Sequence, residues 1–156
     1  MHISNLLTAD RIACQQDLAS KKRVLEALAS LLASSIPSLT EVEIFDSLLG
    51  RERLGSTGLG TGVAIPHGRM TGVDTPIGAI ITLNNGVDYD APDRQPVDLL
   101  FALVVPETST DEHLQILANL ARMFSDRKLC EGLRASQDAG QLLRVLDGWE
   151  LHRATA

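Results

Sequence analysis

Four histidines stand at positions 2, 67, 113 and 152, and one of them keeps company suited to chemistry. His67 follows Ile65-Pro66 and precedes Gly68. Just upstream, the stretch Gly55–Gly62 (GSTGLGTG) packs four glycines into eight residues. Glycines lack a Cβ, so their backbone N–H groups can approach an anion closely, and successive amides of this kind form a nest suited to phosphoryl oxygens. Gly55, Ser56, Thr57, Gly58, Gly60, Thr61 and Gly62 are therefore candidate phosphoryl-binding residues, with the hydroxyls as added donors. An imidazole directly after such a stretch marks a candidate site for an anionic group. A lone histidine at a strand end also serves as a plain polar residue, and both readings stand on these residues alone.

Familiar nucleotide and metal patterns are excluded. A phosphate loop of the GxxxxGK[ST] kind needs a lysine that does not follow Gly62. The dinucleotide fingerprint GxGxxG is not matched by Gly58–Gly62, which leads into an apolar strand and not a helix. Neither HxxxH nor HExxH occurs, so the expectation is no metal and no cofactor.

Positioning His67 requires a scaffold, and its elements can be read from periodicity. Ser20 caps a helix whose inward face is Val24, Leu25, Leu28, Leu31 and Leu32, ending before Pro37. Thr40 and Glu43 have capping-box spacing and open a second helix with Ile44, Phe45, Leu48 and Leu49 inward. Val63–Gly68, Ile77–Leu83 and Val97–Val105 read as strands, with turns at Asn84-Asn85-Gly86 and across 88–93. A third helix starts at Ser109–Glu112 with Leu114, Leu117, Leu120, Ala121 and Phe124 inward. Shorter helical segments follow at Leu129–Leu133 and Gly140–Leu146, then a loose tail from Trp149. His2 and His152, near the two ends, are expected in solvent. The order of elements predicts a single α/β domain over 1–156, a central mixed sheet flanked by helices.

Composition narrows the function. The 156 residues carry 14 Lys+Arg against 20 Asp+Glu, a formal charge of −6, which offers no general attraction to nucleic acid or anionic lipid. One tryptophan, one tyrosine and three phenylalanines leave little for base stacking. Cys14 and Cys130 have no CxxC pairing, there is no secretory leader pattern, and the apolar run Leu99–Val105 is far too short to span a bilayer. The expectation is a cytoplasmic chain with no nucleic-acid partner and no membrane insertion.

The unbroken stretch RERLGSTGLGTGVAIPHG, residues 51–68, resembles the phosphorylation-site signature of the mannitol/fructose-type IIA domains of the bacterial phosphotransferase system. Its form is similar to the stand-alone nitrogen-regulatory branch, as are QPVDLLFALVVP at 95–106 and His113-Leu114 at a helix start. The resemblance covers nearly the whole chain and implies that family's fold. It implies that His67 is the nucleophile that takes a phosphoryl group from the phosphohistidine of an HPr-type carrier or its nitrogen-branch paralogue. It further implies that Arg51 pairs with the phosphoryl oxygens, with Arg53 as the competing candidate, and that His113 lies near the acceptor as a hydrogen-bond donor. Leu54, Leu59 and Met70 are candidates for the apolar surface on which the donor docks. A regulator acting through its phosphorylation state on potassium transporters or sensor kinases is the favoured role, because 156 residues leave no room for a IIB or membrane domain. The alternatives are a sugar-transport relay to a separate IIB protein and a ligand sensor with a vestigial site.

Overall fold

Ser20 and Thr40 open the first two helices as their types dictate. The Ser20 hydroxyl accepts from the Arg23 N–H at the start of α1 (Lys21–Ala33), and Thr40 and Glu43 form a reciprocal capping box on α2 (Glu41–Glu52). Each satisfies donors that a helix start otherwise leaves bare. The computed structural model describes residues 2–155. Its strands are β1 (Ile12–Gln16), β2 (Gly58–Gly60), β3 (Val63–Ala64), β4 (His67–Met70), β5 (Ile77–Val87) and β6 (Val97–Pro106). They form one mixed sheet in the order β1-β5-β6-β3-β2, with β4 paired to β6 beside that path. The β1/β5, β3/β6 and β4/β6 pairs are parallel, and β5/β6 and β2/β3 antiparallel.

Strand β6 is apolar on both faces because both are covered. Leu99, Phe101, Leu103 and Val105 join a core with α3 (Asp111–Phe124), α4 (Arg127–Ala135) and α5 (Ala139–Thr155). Leu100, Ala102 and Val104 alternate to the other side and pack with Val24, Leu28, Ile44 and Leu48 of α1 and α2. The sheet is thus sandwiched between α1 and α2 on one face and α3 to α5 on the other, the flanked mixed sheet that the residue pattern predicts.

Local expectations are corrected in four places. Asn84-Asn85-Gly86 continues β5 instead of turning it, with the Asn84 amide donating to the Gln15 carbonyl at 2.9 Å. Val63–Gly68 is not one strand: Ile65-Pro66 interrupts it, and His67 opens β4. The segment from Trp149 is part of α5. It is held by the indole N–H donating to Asp126 at 2.9 Å and by Glu150, which accepts the Ile3 and Ser4 N–H groups at 2.9 Å each. His2 is exposed, as expected, with its Nδ1 2.9 Å from Glu150. Leu114 faces outward at 67% exposure, and Ile116 takes the inward position.

Candidate functional site

Three elements converge on His67. Ser47, Gly50 and Arg51 of α2 and Leu54 just beyond it follow a three-to-four-residue rhythm, so they form one stripe of a helical surface. Thr110, His113 and Leu114 do the same at the start of α3. Both groups line a cavity of about 750 Å³ whose remaining wall is His67, Gly68, Arg69 and Glu107. The cavity therefore bridges the two helical layers. It can do so because β4, among the described residues, pairs with β6 alone and leaves its other edge to the helices.

His67 is buried, at 8% exposure, and its Nδ1 lies 2.8 Å from the Ile65 carbonyl. A carbonyl can only accept, so Nδ1 carries the proton and Nε2 keeps its lone pair. Pro66, with its fixed φ, spans the two residues of this clip. Burial pushes the His67 pKa below the ordinary 6.5, and the Arg51 charge adds to this against the opposing pull of the Ile65 carbonyl and Glu52. The ring is neutral near pH 7 as a result, the state in which Nε2 is a nucleophile.

His113 meets the His67 ring edge-on at a centroid separation of 5.3 Å. Burial first, then the neighbouring His67 and Arg69, hold its pKa down as well. Its Nε2 is buried and has no hydrogen-bond partner among the described residues. A buried polar atom without a partner costs about 1–3 kcal/mol, so its retention at the cavity wall is suited to a ligand that completes it.

Of the residues singled out in the sequence, His67, Arg51 and His113 come together, and Leu54, 84% exposed, stands at the rim. Arg53 is exposed and outside the lining, which separates it from Arg51. The lining also omits Gly55, Ser56, Thr57, Gly58, Gly60, Thr61 and Gly62. Their contacts are structural. The Gly55 carbonyl accepts from Arg51 Nη1 at 2.8 Å and so orients that guanidinium. The Ser56 hydroxyl accepts the Gly58 N–H at 3.1 Å, and Thr57 is buried against Glu52. Gly60, Thr61 and Gly62 take positive φ values of 91°, 57° and 83° to turn β2 into β3, and the Thr61 carbonyl accepts from Arg134. The glycines thus shape a tight hairpin, and the amide nest predicted at His67 is not where they are. Leu59 lines a separate cavity with Arg127 and Arg134, and Met70 packs on the core.

Of the lining residues not singled out from the sequence, two had a signal there, Arg69 and Ser47. Arg69 lies two residues beyond His67 on the same strand, hence on the same face. Ser47 lies four before Arg51 on one helix, hence on the same stripe. The Ser47 hydroxyl sits against Gly68 so closely that a Cβ there would collide with it.

A neutral histidine with a free Nε2, a neighbouring unpartnered imidazole nitrogen and two arginines is a set that can take, hold and release a phosphoryl group. The chain belongs to the EIIA 2 family of the phosphoenolpyruvate-dependent sugar phosphotransferase system, whose profile matches residues 5–148. Phosphoryl transfer is therefore its class of chemistry. Over 146 residues it is 42% identical to the nitrogen regulatory protein of Pseudomonas aeruginosa, an overlap of 94% of this chain and 95% of that one. It is also similar to the crystal structure of nitrogen regulatory protein IIA-Ntr from Neisseria meningitidis. The TM-score there is 0.86 at 43% identity, over 92% of this chain and 98% of that one. The crystal structure of mannitol IIA from Escherichia coli shares the fold, with a TM-score of 0.74 at 22% identity over 90% and 98% of the two chains. Among the described residues no helix is long and apolar enough to cross a membrane, and no cluster of three or more metal-ligating side chains occurs.

Proposed function

We propose that this chain accepts a phosphoryl group on Nε2 of His67 from the phosphohistidine of an HPr-type carrier and signals through its phosphorylation state. In the transfer the donor N–P bond breaks, its electron pair stays on the donor ring, and the His67 Nε2 lone pair forms the new N–P bond. No proton has to move when the donor ring carries a proton on its other nitrogen: that ring leaves as a neutral imidazole, and His67, its Nδ1–H still donated to the Ile65 carbonyl, becomes the phosphoimidazolium. The transition state spreads charge over three phosphoryl oxygens and asks mainly for positioned donors. Arg51 supplies a cationic donor, and His113 Nε2, when it carries the proton, a second.

The observation that carries this reading is the buried, unpartnered Nε2 of His113 beside the edge of the His67 ring. A regulatory output is supported by the similarity to nitrogen regulatory proteins over most of the chain. Adding roughly −1.5 to −2 charges to a cavity open to solvent changes what a partner meets there. Potassium transporters and sensor kinases are the targets to try first.

The test is intact-mass spectrometry after incubation with phosphoenolpyruvate and the general phosphotransferase components, with the sample kept alkaline. One acid-labile phosphoryl group on the wild type and none on His67→Ala is the expected result. Equal labelling of both would remove His67 from the role. Rapid loss of the label to an added fructose-type IIB protein would assign the relay role in place of the regulatory one.

A further inference from the structure

Arg69 is the one cation of the cavity wall that neither the glycine-rich signature nor the sequence reading assigns to the site. It follows His67 by two positions on β4, and since side chains alternate across a strand, its guanidinium leaves the same face as the imidazole. The parallel register of β4 on β6, His67 opposite Leu103 and Arg69 opposite Val105, fixes both positions on the sheet. Its charge already reaches the site, where it helps keep His113 unprotonated. Its guanidinium makes no hydrogen bond or ion pair among the described residues. The one carboxylate of the wall, Glu107, is engaged by the Thr71 hydroxyl.

Arg51 is differently placed. One of its terminal nitrogens is committed to the Gly55 carbonyl, so it arrives at the site already anchored and has fewer donors to spare. A phosphoryl group on His67 exposes three anionic oxygens, more than Arg51 and the single Nε2 of His113 can satisfy. A planar guanidinium offers a fork of donors matched to two such oxygens.

We propose that Arg69 is a second phosphoryl-contacting residue, closing on the group from the β4 side while Arg51 holds it from the α2 side. This rests on the reading of His67 as the acceptor. Its first consequence is a faster transfer, because the contact strengthens as charge builds on the equatorial oxygens. Its second is a longer-lived phospho form, because an oxygen-bound guanidinium restrains the group against attack by water.

The experiment compares wild type, Arg69→Gln, Arg69→Lys and His67→Ala, each phosphorylated both by the protein donor and by phosphoramidate, a small donor that needs no docking surface. His67→Ala judges the underlying reading, since labelling there would sink the acceptor itself and not only the part given to Arg69. With His67-dependent labelling established, Arg69→Gln is expected to accept phosphate about tenfold more slowly from both donors, the loss of one charge-assisted contact. It should also lose the phosphoryl group faster on standing, with an unchanged unfolding midpoint before phosphorylation. Arg69→Lys, which keeps the charge, recovers most of the rate. Slowing with the protein donor alone would make Arg69 a docking residue and overturn the proposal. A lowered unfolding midpoint in Arg69→Gln, or an Arg69→Lys variant as slow as Arg69→Gln, would overturn it equally.

Discussion

Arg51 and Glu52 are consecutive residues in the last turn of α2, and they serve two polar clusters of opposite character. Glu52 turns into the protein. It is 6% exposed, its carboxylate lies 3.0 Å from Lys21 Nζ, and it accepts the Thr57 N–H at 3.2 Å as well as the Thr57 hydroxyl. Tyr89, fully buried, completes the cluster with its hydroxyl 3.2 Å from Thr57 Oγ1 and its ring 4.3 Å beneath the Lys21 ammonium. Burial first and the Glu52 charge second push the Tyr89 pKa up, so it stays a phenol. Arg51 turns instead to the His67 cavity, where His113 Nε2 and the Arg69 guanidinium are unpaired among the described residues. One cluster is completed by the protein and locks the α2 turn onto the glycine-rich hairpin. The other keeps unpaired groups among the described residues, which the proposed phosphoryl group would complete. Fully paired buried groups specify structure, and unpaired ones lower stability until something binds.

The contrast can be broken at its structural end first. Glu52→Ala leaves Lys21 and Thr57 without their shared acceptor beside Tyr89, and it is expected to cost about 3 kcal/mol in urea unfolding. A loss no larger than that of an exposed ion pair would contradict the role given to the buried cluster. At the functional end, His113→Ala is expected to slow phosphoryl acceptance about 10²-fold, the effect of removing one preorganised donor. Its unfolding free energy should change far less than that of Glu52→Ala. A variant that loses stability but accepts phosphate at the normal rate would reverse the assignment of the two clusters.

Gly68→Ala sits between the two in kind. The new Cβ collides with the Ser47 hydroxyl, a strain of about 1–3 kcal/mol for an overfilled contact. Adding Ser47→Ala removes the hydroxyl and should restore most of the unfolding midpoint. No recovery would mean that the backbone, and not the hydroxyl, resists the substitution.

The smallest effect is in pH. Both site histidines have pKa values held below the ordinary 6.5 in the folded chain, so the unfolded chain binds more protons as pH falls. Stability is therefore complete above pH 6.5 and declines as pH drops through the depressed native values. A chemical-denaturation series on wild type and His67→Ala/His113→Ala should show a shallower decline in the variant. Phosphoryl acceptance on Nε2 should likewise persist below the pH at which a free imidazole protonates.

Much of the scaffold was legible because its signals are local. Ser20, Thr40 and Glu43 announce helix starts with their own side chains, and the unbroken apolar run Leu99–Val105 announces a strand covered on both faces. β1 was not legible. Ile12–Gln16 is short and its ladder is a parallel pairing with β5, far along the chain. Asn84-Asn85-Gly86 has turn composition, yet the Asn84 amide is used across the sheet by the backbone of β1. The helix beyond Trp149 depends on Asp126 and on the N–H groups of Ile3 and Ser4, contacts that no local pattern contains. In the site, His67 stood out by its place after the glycine-rich stretch, and its role, with those of Arg51 and His113, came from the family resemblance. The glycines misled, because the freedom that builds an anion nest also builds a tight hairpin, and only the packing of Gly55–Gly62 distinguishes them. Ser47 and Arg69 follow from helix and strand periodicity once Arg51 and His67 are taken as fixed points.

The hydrogen bond from Nδ1 to the Ile65 carbonyl would reserve Nε2 of His67 for the proposed phosphoryl group. Nitrogen-15 NMR of the imidazole rings, recorded before and after phosphorylation at alkaline pH, tests it directly. Phosphorus is expected on Nε2 of His67, with Nδ1, the nitrogen facing the Ile65 carbonyl, left unsubstituted. Phosphorus on Nδ1, or on the ring of His113, would contradict it.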